Sequence, residues 1–150
     1  MKSTKHSLIA VALMALSVAA AAKNVPTYVP WDSVVSDLKQ EGTLQGIELR
    51  FGSASAQGLT IKSSTTLQHK EIPFPEPTRQ APSDEALCQK ALKQVLIRAV
   101  EQARREGANA VVGVVSQVAQ HRLDSPANAQ CRSGLSGAVA GVSIQFAVLP

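Results

Sequence analysis

The sequence predicts an α+β fold: a two-layer sandwich in which one long helix lies on a mainly antiparallel sheet of three to four strands, with a short helix near the N-terminus. Three observations carry this. Residues 83 to 107 show an apolar stripe at helical spacing between clear end signals; residues 109 to 120 follow almost at once and are rich in valine; and residues 141 to 149 alternate strictly. Alternation of that kind belongs to a strand buried on one side, which is the habit of antiparallel sheets.

The long helix is the clearest element. Ser83 is a good N-cap, Asp84 and Glu85 sit at the positive end of the helix dipole, and Arg104 and Arg105 sit at the negative end. Gly107 closes it where a left-handed residue is wanted. Ala91, Leu92, Val95, Leu96, Ala99, Val100 and Ala103 form its core stripe.

Nearer the N-terminus, Pro30 opens a short helix in which Trp31, Val34, Val35 and Leu38 share a face and Gly42 is the stop. Trp31 is read as packing, with ligand stacking as the alternative. Ile47, Leu49 and Phe51 alternate with Glu48 and Arg50 and predict a strand over 46 to 51. The segment from Gly52 to Gly58 reads as a loop, and a weaker strand is expected over 59 to 63. From Thr65 to Pro82 no periodicity remains, and four of the eight prolines lie here, so an extended surface connector is expected. In the last strand Val142, Ile144, Phe146 and Val148 fall on one face.

The first 22 residues read as a signal peptide, with an uncleaved anchor as the alternative. Lys2 and Lys5 precede an apolar run from Leu8 to Ala22 that ends in Ala20, Ala21 and Ala22, the pattern of a charged n-region, an h-region and a small-residue cleavage site. The run is shorter than the roughly 20 residues that span a bilayer. Residues 23 to 150 are then one exported domain, periplasmic or secreted, with no stable membrane insertion after cleavage. Its charge is +2, from 13 basic and 11 acidic residues. Beyond Arg104 and Arg105 it has no basic cluster, and the full chain has only five aromatic residues, so nucleic acid is not an expected partner.

Two cysteines in an exported chain most simply form one disulfide, Cys88 to Cys131. The helix runs roughly 35 Å away from Cys88, and the valine strand returns about 40 Å, which brings Cys131, in the loop beyond it, to the same end. Metal ligation with His69 and His121, or a pair of reactive thiols, are the alternatives. Closing this loop stabilises a fold by roughly 4 kcal/mol in the chain-entropy account.

The stretch Gly107-Ala-Asn-Ala-Val-Val112 after a long helix, Cys88 at the start of that helix, and Cys131 before Gly137-Ala-Val-Ala-Gly141 resemble a group of small exported bacterial proteins labelled "excinuclease ATPase subunit". The resemblance spans most of residues 30 to 150 and implies no known activity. An ATPase needs a P-loop lysine, and the glycines from Gly134 to Gly141 have none and lead into a strand. The helix-turn-strand core is also similar to the YbjQ-type putative heavy-metal-binding family and to the outer-membrane lipoprotein sensor of the Rcs pathway. The latter resemblance implies a disulfide between the helix and a later loop.

No H-E-x-x-H, G-x-S-x-G or C-x-x-C is present. The expected function is therefore a non-catalytic periplasmic interaction or envelope-associated module, with no cofactor and no metal site. A small-ligand or metal-binding protein is the alternative. The expected contact surface is a loop from Arg122 to Ser136, with Arg122, Asp124 and Arg132 as the recognition groups facing an envelope protein partner.

Overall fold

In a computed structural model, residues 24 to 73 and 80 to 150 are described; the leader expected over residues 1 to 22 lies outside them. The chain runs β1 (Val25–Pro30), α1 (Trp31–Gln40), β2 (Glu48–Phe51), a 3-10 turn (Ser53–Ala56), β3 (Ile61–Glu71), α2 (Asp84–Arg105), β4 (Ala110–Val118), β5 (His121–Leu123), β6 (Asn128–Gly134) and β7 (Gly137–Ala147).

The expected sheet of three to four strands is overturned. Seven strands make one sheet that curls into a half-barrel, and two helices accompany it. β7 is its middle. β3 pairs along the whole of one side of β7, while β6 and β4 share the other side, β6 beside its first half and β4 beside its second. β1 extends the sheet beyond β6, and β2 and β5 flank β4. All pairs are antiparallel except β2 with β4, because the chain between those two strands crosses over through β3 and α2.

Two expected irregular segments are strands. The connector expected from Thr65 is regular strand as far as Glu71, and the contact loop expected from Arg122 to Ser136 contains most of β5 and all of β6. Both pair with neighbours through backbone groups, which asks nothing of side-chain hydrophobicity.

α2 matches its end signals. Ser83 Oγ accepts from Ala86 N at 3.1 Å, and Gly107 has φ +66°. Leu92, Val95, Leu96, Ala99 and Val100 are fully buried against Ala138, Ala140, Val142, Ile144 and Phe146 of β7 and their neighbours. α1 begins after Pro30 and buries Trp31, Val34 and Leu38. Trp31 is wholly enclosed, so the packing reading holds for it and the stacking alternative does not.

On the other face of the sheet, Ala110, Val112 and Ala147 form a small second cluster under Ala56, Leu59, Ile61 and Leu149. Gly113 makes the bend above it. It adopts φ +61° inside an interruption of the β4–β7 ladder, and its N–H donates to Ser55 Oγ at 2.8 Å, which joins the 3-10 turn to the sheet. Val148, expected on the core face of the last strand, lies past the end of β7 and is half exposed.

Candidate contact surface

Cys88 and Cys131 form a disulfide, with sulfurs 2.05 Å apart and Cα atoms 5.7 Å apart. It ties the second turn of α2 to the middle of β6, a strand and not the expected loop. Both residues are fully buried. The thiolates that a metal site or reactive pair would have used are therefore joined to each other. Among the described residues, no group of three or more His, Cys, Asp and Glu side chains is placed to hold a metal ion.

Because side chains alternate along a strand, pinning Cys131 inward turns Gln130 and Arg132 outward. Beside them β1 does the same: Thr27 and Val29 are buried and Tyr28 is 52% exposed. Inside, Thr27 Oγ1 and Ser133 Oγ share a hydrogen bond of 2.7 Å, so the polar atoms buried near the disulfide are paired. Outside, Gln130 lies directly opposite Tyr28, and its Nε2 donates to the Tyr28 hydroxyl at 3.1 Å. Arg132 holds the chain ahead of β1, its Nε donating to Asn24 Oδ1 at 3.0 Å and its Nη2 to Asn24 O at 2.7 Å. Tyr28 and Arg132 thus stand fixed on a strand pair stapled from behind.

The three expected recognition residues do not form one group. Arg122 and Asp124 are neighbours, with Arg122 Nη2 4.0 Å from Asp124 Oδ2. Arg132 is taken up by Asn24. Asp124 is a latch: its Oδ1 accepts from Ser53 N at 2.8 Å and its Oδ2 from the Ser53 hydroxyl, which ties the segment after β5 to the 3-10 turn. The Ser53 hydroxyl, then the Ser53 backbone N–H and the Arg122 charge, hold the Asp124 carboxyl below its ordinary value of 3.8.

A depressed carboxylate contributes stability above its unfolded pKa and loses it as pH falls through the lower folded value. The melting temperature of Asp124→Asn is accordingly expected to lie below that of the wild type at pH 6 and to converge on it as the pH falls below about 4. A gap that stays constant through that range would show that this carboxylate does not titrate at the contact.

Tyr28 was not singled out by the sequence, because β1 itself was not. The available signal was Val25, Thr27 and Val29 alternating around one aromatic residue. Pro26 and Pro30 mask that signal, although proline is acceptable on an outer strand.

Among the described residues, shallow clefts accompany the helices. One, of about 290 Å³, lies between α1 and α2 and is lined by Asp37, Ala86, Gln89, Lys90 and Lys93. In it Gln89 Nε2 donates to Asp37 Oδ2 at 2.8 Å and Lys93 Nζ to Glu41. Another, of about 310 Å³, is flanked by Val35, Leu44 and Leu49 and is mostly apolar. His69 is paired with Glu71 at 3.2 Å, and His121 stands exposed at the start of β5. Among the described residues, no helix is long and apolar enough to cross a membrane. No protein-family model, curated protein or solved structure matches the chain.

Proposed function

We propose that this chain is an exported, non-catalytic interaction module that works by contact with an envelope protein partner through the outward side of β1 and β6. The observation that carries this reading is Tyr28. A half-exposed aromatic ring, fixed at its hydroxyl by Gln130 and two strand positions from Arg132, is an amphipathic anchor whose ordering is already complete before a partner arrives. Tyrosine and arginine are the side chains on which interface energy concentrates. The disulfide behind β6 supports the export reading, since such bonds persist in oxidising compartments. It also keeps the displayed side chains in one arrangement.

Site-specific photocrosslinking in the periplasm tests this. A photoreactive residue at position 28 is expected to yield a discrete crosslinked species, and one at Gln94, exposed on α2, is expected to yield none. Absence of the species at 28, or the same species at both positions, would overturn the placement. Hydrolysis of a nucleotide, ester or peptide by the purified protein would overturn the non-catalytic reading.

A further inference from the structure

Where the sheet stops, its outer strands are mostly short or blunted. β1 has six residues with proline at positions 26 and 30, β2 has four and β5 has three. β3 differs. It has eleven residues, roughly 36 Å of strand, contains no proline, and among the described residues is bonded along one side only. A long, half-paired strand is a ready template for another strand.

The direction of its free backbone groups follows from one hydrogen bond. Arg98 Nη1, reaching from α2, donates to Gln68 O at 2.8 Å, so the backbone of residue 68 is turned away from β7. Pairing between β3 and β7 is unbroken from Ser63 to Glu71, and backbone direction alternates every residue. Ser64, Thr66 and Lys70 therefore turn their N–H and C=O groups outward as well. Among the described residues, Arg98 at Gln68 is the one side chain bonded to an outward carbonyl of residues 64, 66, 68 and 70.

Charge decides what fits this edge. An antiparallel copy of β3 centred on Thr66 would set Lys62 against Lys70 at both ends. Like charges directly opposite disfavour such a pair, and lysine on an outer strand is a common guard against self-association. An incoming strand with carboxylates meets the reverse situation. Its N–H replaces Arg98 at Gln68 O, and the released guanidinium then faces a carboxylate on the arriving chain, with Lys70 beyond it. A guanidinium binds a carboxylate more strongly than it binds a neutral carbonyl.

We propose that the free edge of β3 is a second contact surface, which takes an extended acidic segment of another protein as an added antiparallel strand, with Arg98 exchanging Gln68 O for a carboxylate of that segment. This goes beyond the surface at Tyr28 and does not depend on it, since β1 and β3 lie on opposite sides of the β6–β7 pair.

The test uses three labelled synthetic peptides the length of β3, alternating threonine with glutamate, glutamine or lysine. The glutamate peptide is expected to bind roughly tenfold more tightly than the glutamine peptide, the scale of one charge-assisted bond, and the lysine peptide not to bind. Backbone amide resonances of residues 64 to 70 are expected to shift on binding. Arg98→Ala is expected to abolish the preference for glutamate over glutamine. Thr66→Pro, which removes an outward N–H and leaves the β7 ladder intact, is expected to abolish binding. A glutamate peptide N-methylated at alternate residues should fail on the wild-type protein, which covers the case of a Thr66→Pro protein that does not fold. Equal affinity for the three peptides, shifts confined to other strands, or a wild-type dimer joined through residues 64 to 70 would overturn the proposal. Each of these results is distinguishable from failure at position 28, which the crosslinking reads separately.

Discussion

Replacing Trp31 by alanine is expected to destabilise the fold by about 3 to 5 kcal/mol, the usual range for a large aromatic removed from a core. Trp31 is fully buried at the junction of β1 and α1. Its ring stacks on Phe51 of β2, with centroids 4.4 Å apart and planes at 22°. Its Nε1 donates to Ser125 O at 3.0 Å, and its backbone N donates to Ala127 O at 3.0 Å, both in the segment that leads into β6. One residue thus joins α1, β2 and the approach to β6. Alanine would leave a void and an unpaired carbonyl at Ser125, and the two costs add. Trp31→Phe keeps a stacked ring and loses the Nε1 bond, so it should fall between alanine and the wild type. Chemical denaturation measures all three. A loss below about 1 kcal/mol for alanine would mean that the helix repacks or that the ring faces a partner instead of the core.

What the sequence showed and what it hid follow one rule: patterns were legible where strong hydrophobicity met an uninterrupted element. α2 carried its own cap, dipole charges and stop, and β7 carried Val142, Ile144 and Phe146 inward. In β6 the inward residues are Ala129, Cys131 and Ser133, too small or too polar to register as alternation. β3 hid differently. Its α2-facing positions include Thr65, His69 and Glu71, which an outer strand leaves half exposed and so free to be polar. The expected sheet consequently had too few strands. The same cause separates the two parts of the proposed contact surface. Cys88 and Cys131 could be paired from export and chain length, whereas Tyr28 depended on seeing β1, and Arg132 was grouped with Arg122 and Asp124 by nearness in sequence although it lies on β6 and is bound to Asn24.

Removing the disulfide by Cys88→Ala with Cys131→Ala is expected to lower stability by about 4 kcal/mol, within the 2 to 5 kcal/mol common when a small exported domain loses a native bridge. The bond spans 43 positions of sequence, and in the chain-entropy account that span sets the scale, because the unfolded chain regains the freedom of a loop of that length. Two further results distinguish this cause from simple loss of buried sulfur. The wild type under reducing denaturant should unfold with the same midpoint as the double variant. Both should show a steeper dependence on denaturant than the oxidised protein, since an unconstrained unfolded chain exposes more surface. Free thiols in the oxidised protein, read by mass spectrometry of unreduced peptides, would exclude the bond outright, and an unchanged midpoint would make it energetically idle. The consequence reaches the proposed contact surface as well. Cys131 lies between Gln130 and Arg132, so without the tether to α2 the β1–β6 pair keeps its backbone ladder and loses its fixed position over the helix. Crosslinking from position 28 is then expected to weaken even at temperatures where the double variant remains folded, because the order at Tyr28 that precedes binding in the wild type would have to be supplied by the partner.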